Sequence, residues 1–387
     1  MANVLTDLAA DIYKAADIVG RELVGFIPAS TINANGSETA AVGQTVRSFA
    51  TRAAAAIDIA PSMTIPEGTD QTVDTKTLTL TRQKGVQIPY TGEDVKYLQG
   101  GAGFETVYGA QIMQAMRTLT NLMEADLATE AKNSASRAVG TAGTTPFGSD
   151  FNLVAEGRQI LADNGIPMND GRLSLVMNTS ASTKLRNLAS LQGANTAGGV
   201  DLLRQGTLLD LQGVMIKESG QVQSHTKGTG AGYLINNGSN YAIDATSLAV
   251  DTGTGTLLAG DIITIAADGS ASKYVINSGF AGDGSGTIVI GDTGLRGSVL
   301  NNAAITVGNT YAANIMMHQS ALELAMRAPA KPLGGDAAVD VMIVQDPVSG
   351  LVFEISVYKG YNKAMIQVGA VWGYKAWNSK AIATVLG

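Results

Sequence analysis

The segment Lys76-Thr-Leu-Thr-Leu-Thr-Arg82 alternates polar and apolar residues, a period of two that is typical of a strand with one apolar face. Val86-Gln-Ile88 repeats the pattern after a break at Lys84-Gly85, so residues Asp58 to Tyr90 are predicted to form a two-stranded arm. An isolated hairpin is at best marginally stable in water. We therefore expect the arm to pack against another subunit. The predicted contact residues are Leu78, Leu80, Arg82 and Lys84.

Composition limits the classes of protein that this chain can belong to. Its 387 residues are enough for two or three domains with sizeable cores. The net charge of -7 argues against a polycation that seeks nucleic acid, and the absence of cysteine excludes disulfides and thiolate metal sites. The two histidines, His225 and His318, are interpreted as surface and packing residues. No signal peptide or bilayer-length apolar run is present, so no membrane association is expected.

Helical periodicity marks two segments in the first third of the chain. Residues Thr6 to about Val24 are predicted to form an amphipathic helix, either a surface helix or a mobile arm. Residues Phe104 to Ser134 have apolar residues at mixed three- and four-residue steps, which predicts a long helix that serves as a domain spine. Asp126 and Glu130 share one face of this helix and are interpreted as a solvated face.

The remaining two thirds divide by composition. Residues 138–225 alternate helix and strand patterns. Residues 226–312 are rich in glycine, threonine and aspartate and contain short strands separated by turns such as Asn237-Gly238 and Asp268-Gly269. This pattern predicts a small antiparallel barrel inserted into the preceding domain. Residues 313–387 are predicted to return to the host domain with long strands.

Candidate catalytic motifs are short and better explained by backbone geometry. Asp251-Thr-Gly253 and Asp292-Thr-Gly294 duplicate the triplet of aspartic proteases, but both lie in a turn-rich region that favours Asp and Gly. The glycine clusters lack phosphate-loop spacing, and no histidine pair or carboxylate series predicts a metal site. We therefore expect no enzymatic activity, no cofactor and no bound metal. Scattered lysines in the tail predict at most weak, sequence-blind contact with DNA.

Four motifs carry a resemblance to a known family. They are Leu78-Thr-Leu-Thr-Arg-Gln-Lys-Gly-Val-Gln-Ile-Pro-Tyr-Thr-Gly-Glu-Asp94, Ala325-Met-Arg-Ala-Pro-Ala-Lys-Pro332, Asp346-Pro-Val-Ser-Gly-Leu-Val-Phe-Glu-Ile355 and Trp372-Gly-Tyr-Lys-Ala-Trp377. Together with the order of parts, they resemble tailed-bacteriophage major capsid (coat) proteins, and the podovirus coat-like branch with an insertion domain in particular. The resemblance implies the Hong Kong-type capsid fold, an α+β fold with a peripheral domain, an axial domain, an extended loop and an N-terminal arm.

The resemblance also implies a division of the chain. The expected parts are an N-terminal arm and helix (1–57), an extended loop (58–90), a peripheral domain with the spine helix (91–137), the first part of an axial domain (138–225), an inserted β-barrel (226–312), and a return to the axial and peripheral domains (313–387).

The implied function is that of a virion protein that self-assembles into hexamers and pentamers of an icosahedral head around double-stranded DNA. Implied partners are other copies of the chain, a separate scaffolding protein, a portal and decoration proteins, with assembly in the host bacterial cytoplasm. The start of the chain close to its arm favours the separate scaffold and an unprocessed chain. Two alternatives stay open: a β-rich surface-binding module such as an adhesin, and the shell of an encapsulin-like nanocompartment.

Overall fold

The computed structural model describes residues 12–19, 25–51, 61, 63, 73–99, 104–192, 210–266, 268–346 and 349–387. Its helices are α1 (12–19), α2 (Phe26–Ala29), α3 (Gly92–Gln99), α4 (Phe104–Asn133), α5 (Asn152–Asp163), α6 (Thr179–Arg186) and α7 (Ala189–Gln192). Short 3-10 helices occupy Gln319–Ala321 and Ser379–Ala381.

The strands fall into three regions of the chain. Those before the insert are β1 (Thr31–Ala40), β2 (Thr45–Thr51), β3 (Val73–Thr79), β4 (Arg82–Thr91), β5 (Arg137–Val139), β6 (Leu173–Met177), β7 (Met215–Glu218) and β8 (Ser224–His225). Those of the insert are β9 (Leu234–Ile235), β10 (Ser247–Asp251), β11 (Thr256–Leu257), β12 (Ile262–Ile265), β13 (Lys273–Ser278), β14 (Phe280–Ala281), β15 (Gly286–Ile290) and β16 (Ile305–Val307). Those after it are β17 (Tyr311–His318), β18 (Leu322–Pro329), β19 (Ala338–Gln345), β20 (Val352–Gly360), β21 (Lys363–Ala376) and β22 (Ile382–Leu386).

The peripheral domain is a sheet of long strands covered on one face by the 30-residue helix α4. The strand order is β1-β18-β21-β20-β19, with β4 paired to the 14-residue strand β21. Apolar side chains of the sheet and of α4 form one core, which includes Ile112, Leu119, Leu127, Phe353 and Val368. The spacing of the α4 residues matches the predicted apolar stripe, and the predicted spine helix is therefore present.

The axial domain is a second sheet, ordered β7-β6-β17-β22-β5, which packs against α5 and α6. Strand β6 is buried along its whole length, as expected for a short apolar strand in a sheet interior. Residues 317–326 form the end of β17, the short 3-10 helix Gln319–Ala321 and the start of β18. This pair of strands carries the chain from the axial domain to the peripheral domain.

The insert closes into a barrel. Strands β9, β10, β15, β13, β12 and β16 pair in that order, and a bridge between Leu234 and Ala304 joins the last strand back to the first. Its interior is a separate apolar core that includes Tyr233, Leu248 and Ile288. The barrel is also continuous with the axial sheet, because β13 pairs with β5. That continuity is not expected from the local turn signals.

The structure corrects the predicted strand pairing of the arm. Strand β3 pairs with β2, so the hairpin begins before residue 58, and part of its outer region (52–60, 62 and 64–72) lies outside the described residues. Val86 and Ile88, the predicted second strand, belong to β4 and pack against the peripheral core. An arm strand and a strand of the peripheral sheet both have alternating polar and apolar residues. The local sequence therefore does not distinguish β3 from β4.

Only part of the N-terminal helix prediction falls on described residues. The chain is helical over residues 12–19, and Ile12, Ala15 and Val19 are buried in the peripheral core. Residues 6–11 and 20–24 of the predicted helix lie outside the described residues. Where it is described, the helix is a docked element of the subunit.

Candidate subunit-contact site

The base of the arm is packed into its own subunit. Leu78 and Leu80 are 1% and 0% exposed and form a small apolar cluster with Ala40, Ala325 and Val371. This burial corrects the prediction that the two leucines contact a neighbouring subunit. The other two predicted contact residues, Arg82 and Lys84, have exposed side chains. Their contact with a neighbouring subunit stays a prediction.

Backbone contacts fix where the arm crosses the sheet. Leu80 is tied to the turn before β2, since its N–H donates to Gln44 O and its carbonyl accepts from Gly43 N, both at 2.9 Å. The N–H of Thr81 donates to the carbonyl of Trp372 at 3.1 Å. At the crossing, a Cβ on Gly373 would lie 2.3 Å from the carbonyl oxygen of Thr79, so only glycine fits there.

An aromatic ring joins the arm to the sheet a few residues further out. The ammonium groups of Lys76 and Lys375 lie 5.3 Å and 4.7 Å from the ring centroid of Trp377. Such distances are within the range of favourable cation–π contacts. The indole Nε1 donates to Glu323 at 2.5 Å, and the other Glu323 oxygen accepts from Asn33 at 2.9 Å.

Two carboxylates of the spine helix hold β21. Asp126 accepts from the indole of Trp372 at 3.0 Å and pairs with Arg82 at 3.4 Å, while Glu130 accepts from the N–H of Ala376 at 3.1 Å. The carboxylate of Asp126 raises the pKa of Arg82. The interpretation of Asp126 and Glu130 as a solvated face is therefore wrong, because both face the sheet.

A buried carboxylate connects the N-terminal segment to the spine helix. Glu124 accepts the N–H groups of Phe26 at 2.6 Å and Ile27 at 2.9 Å, and the hydroxyl of Ser219 at 2.8 Å. Burial raises the pKa of Glu124, and the hydrogen bonds and nearby Lys217 oppose that rise. The lysine also donates to the carbonyl of Pro28 at 3.0 Å, so this short segment is held from both sides.

Both histidines are buried and paired with aspartates, so they are packing residues, as one half of their interpretation had it, and the other half, a surface position, is wrong. His225 Nε2 lies 2.8 Å from Asp261, and His318 Nε2 lies 2.7 Å from Asp170. Asp261 also accepts two backbone N–H groups, and His318 Nδ1 accepts from the N–H of Ser320 at the start of a 3-10 turn. These contacts satisfy backbone donors at turns, which is a structural role.

The carboxylates considered for catalysis are not assembled into a site. Asp251 accepts from the hydroxyl of its neighbour Thr252, and Asp292 lies at an exposed turn where its N–H donates to Ser379. Among the described residues, no group of three or more potential metal ligands comes together. In the same parts of the chain, no helix combines the length and apolar character that a bilayer crossing needs.

Two other surfaces carry features of protein contacts. At the end of the peripheral sheet away from the arm, a cleft of about 820 Å³ is lined by Val95, Lys359 and Lys363, and the adjacent Tyr361 is 96% exposed. At the edge of the same sheet, β19 exposes Val339, Val341 and Ile343 along one row. Apolar rows on an unpaired edge are normally covered by another chain or blocked by charge.

The described residues contain the main elements that the sequence resemblance implies. A spine helix lies on a sheet of long strands, a hairpin leaves that sheet, and an axial domain carries an inserted barrel. This is the arrangement expected of the Hong Kong-type capsid fold. The predicted fold class is confirmed, and the assignment of this capsid fold to the podovirus branch stays a prediction.

Comparisons with solved structures find matches of low sequence identity that extend over most of the chain. A chain from Mycobacterium phage Che8 is 13% identical with a TM-score of 0.49, over 94% of this chain and 91% of that one. A capsid chain of cyanophage P-SCSP1u is 10% identical with a TM-score of 0.47, over 92% and 86%. A chain of the virus-like particle from Pyrococcus furiosus is 10% identical with a TM-score of 0.42, over 98% of each chain.

No protein-family model and no curated protein matches this sequence. The three TM-scores lie below 0.5.

Proposed function

We propose that the chain is the major capsid protein of a tailed bacteriophage, a structural subunit that self-assembles into hexamers and pentamers of an icosahedral shell. One observation carries the proposal. Strands β2 and β3 form a two-stranded sheet of their own, and the described contacts of this hairpin with the rest of the subunit lie at its base, around Leu78, Leu80 and Trp377. A two-stranded sheet is marginal by itself. The hairpin is therefore built to be stabilised by a neighbouring subunit.

The exposed surfaces support repeated contacts between subunits. The chain has a net charge of -7, yet Lys359 and Lys363 have no ion-pair partner among the described residues and flank the exposed Tyr361. An exposed aromatic residue such as Tyr361 is of a type enriched at protein interfaces, and exposed charges beside it can steer the approach of a partner of opposite charge. In a closed shell each subunit repeats the same weak contacts, and their number makes the particle stable.

The remaining parts of the proposal follow from the role of a shell subunit. We propose a separate scaffolding protein, a portal and decoration proteins as partners, and weak, sequence-blind contact with packaged double-stranded DNA. The subunit acts as a non-enzymatic virion component and assembles in the host bacterial cytoplasm. The buried, hydrogen-bonded state of His225, His318 and Asp261 supports the non-enzymatic role, since these groups are occupied in structural contacts.

The test is shell formation by the full chain and by an arm-shortened variant. Removing residues 54–70 leaves residues 52, 53, 71 and 72 between the paired Thr51 and Val73, a common hairpin loop length. We expect the full chain, with its scaffold, to form closed shells in negative-stain micrographs. The shortened chain is expected to keep its circular dichroism and melting temperature but to sediment as monomers or small oligomers.

A pair of lysine substitutions tests the predicted contact more finely. Lys84→Ala removes an exposed cation beside the arm, and Lys227→Ala removes an exposed cation on the insert as a matched control. We expect only the first to lower shell yield. Normal shells from the arm-shortened chain would contradict the clamp role. Closed shells without DNA in the native host would favour the nanocompartment alternative, and a full chain that stays monomeric with its scaffold would favour the surface-binding module.

A further inference from the structure

The base of the arm is held by two sets of contacts at different distances from the sheet. The inner set is the cluster around Leu80 and the glycine crossing at Gly373. The outer set consists of the cation–π contacts that Lys76 of the arm and Lys375 of the sheet make with the ring of Trp377. A strand held at one point can swing, whereas a strand held at two points has a fixed direction.

Trp377 itself is immobilised by the sheet. Its backbone N–H donates to the carbonyl of Ala321 at 2.8 Å, and its indole N–H donates to Glu323 of β18. Glu323 is 6% exposed and is held in turn by Asn33 of β1. The position of the ring is therefore fixed by β1 and β18. The arm strand β3 contacts this ring through Lys76.

We propose that Trp377 is a positioning residue for assembly: its ring, which Lys76 and Lys375 both contact, sets the angle at which the arm leaves the sheet. This inference rests on the proposed shell function, because the angle matters only if the arm reaches a neighbour. Lys375 adds a second constraint, since its ammonium also donates to the carbonyl of Thr77 at 3.4 Å. The angle of the arm then contributes to the curvature at which subunits join.

A small change in the angle at the base of the arm moves the outer part of the arm by several ångströms. Residues 73 to 80 of the arm span about 23 Å when extended, at about 3.3 Å per residue. A swing of about 10° at the base moves Val73 by about 4 Å on a lever of that length. A displacement of this size exceeds what closely complementary interfaces tolerate.

The direct test measures the angle in the unassembled subunit. The chain has no cysteine, so Val73→Cys with Gln87→Cys places spin labels on the arm and on β4 without background. Electron–electron double resonance on this pair is compared for Trp377, Trp377→Ala and Trp377→Phe. We expect the alanine variant to widen the distance distribution by about 4 Å. We expect phenylalanine, which keeps a ring face for the lysines but lacks the N–H that Glu323 accepts, to widen the distribution less than alanine does.

The second test measures the effect of the arm angle on the closure and size of the assembled particles. With its scaffold, Trp377→Ala is expected to give open or irregular particles, and Trp377→Phe closed shells of native size. A native distance distribution and native shells from Trp377→Ala would overturn the inference. If Trp377→Ala fails to fold, the double variant Lys76→Met with Lys375→Met, which keeps the ring, takes its place. A widened distance distribution in this variant supports the positioning role of Trp377, and a native distance distribution overturns it. If the unmodified chain makes no shells, the proposed function fails, whereas the distance measurement still tests the position of the arm.

Discussion

Replacing Gly373 with alanine tests the crossing of the arm over β21. The new Cβ would lie 2.3 Å from the carbonyl oxygen of Thr79, 2.8 Å from a methyl of Leu78 and 2.9 Å from the Cα of Leu80. Two of these three neighbours are backbone atoms, which cannot move without moving the strand. The arm must therefore lift from the sheet and lengthen the hydrogen bond from Thr81 to Trp372.

The size of the effect follows from two opposing contributions. Overpacking of this kind typically costs about 1–3 kcal/mol. Alanine in a strand regains about 0.5–1 kcal/mol relative to glycine through the lower entropy of the unfolded chain. We expect a net loss on the order of 1–2 kcal/mol in the free energy of unfolding of the peripheral domain.

Gly369→Ala on the same strand is the matched control, because its Cβ would meet its nearest neighbour, a Pro329 side-chain carbon, at 3.5 Å, an ordinary contact. The two tryptophans of the chain, Trp372 and Trp377, flank Gly373, so denaturant unfolding followed by intrinsic fluorescence reports on this joint. We expect the midpoint to fall for Gly373→Ala and to stay unchanged or rise for Gly369→Ala. Equal midpoints would refute the close crossing.

Three further outcomes are expected. Because burial raises the pKa of Glu124 above its ordinary 4.5, its protonated form stabilises the fold at low pH, and this contribution is lost as pH rises through the raised pKa. Melting curves of Glu124→Gln should therefore depend less on pH in that window, and an unchanged profile would count against the buried carboxylate. Residues 226–312 should fold alone, with dispersed amide signals and cooperative melting, since the barrel closes on its own core; a random-coil spectrum would contradict this. Asp251→Asn combined with Asp292→Asn should leave yield and shell assembly unchanged, and peptide hydrolysis by the native chain that this variant loses would overturn the non-enzyme assignment.

Local patterns predicted the elements whose signals are complete within a short stretch of sequence. The apolar spacing between Ile112 and Leu127 is sufficient to indicate a long helix, because one face of that helix is buried along its length. The turns Asn237-Gly238 and Asp268-Gly269 were sufficient to indicate a small antiparallel barrel. In both cases the determining interactions lie between residues near one another in the chain.

Partners distant in sequence could not be predicted. The segment around Val86 has the same alternation as an arm strand, and only its pairing with residues 363–372 shows that it belongs to the sheet. Asp126 and Glu130 share a helix face by spacing alone, but their partners Trp372 and Ala376 lie 246 residues further along the chain. The buried state of Leu78 likewise depends on Ala325 and Val371. Sequence patterns show on which face of a helix or strand a residue lies. The fold determines which distant residues pack against that face.

Strand β22 imposes an order on the synthesis of the subunit. It lies between β17 and β5 in the axial sheet, so residues 382–386 join two parts of the sheet that would otherwise be separate. A ribosome adding 5–20 residues per second reaches β22 on the order of 10 to 50 seconds after β5. Throughout that interval β5 and the barrel linked to it lack their connection to β17. A chain whose synthesis has not reached residue 382 therefore lacks a finished axial sheet.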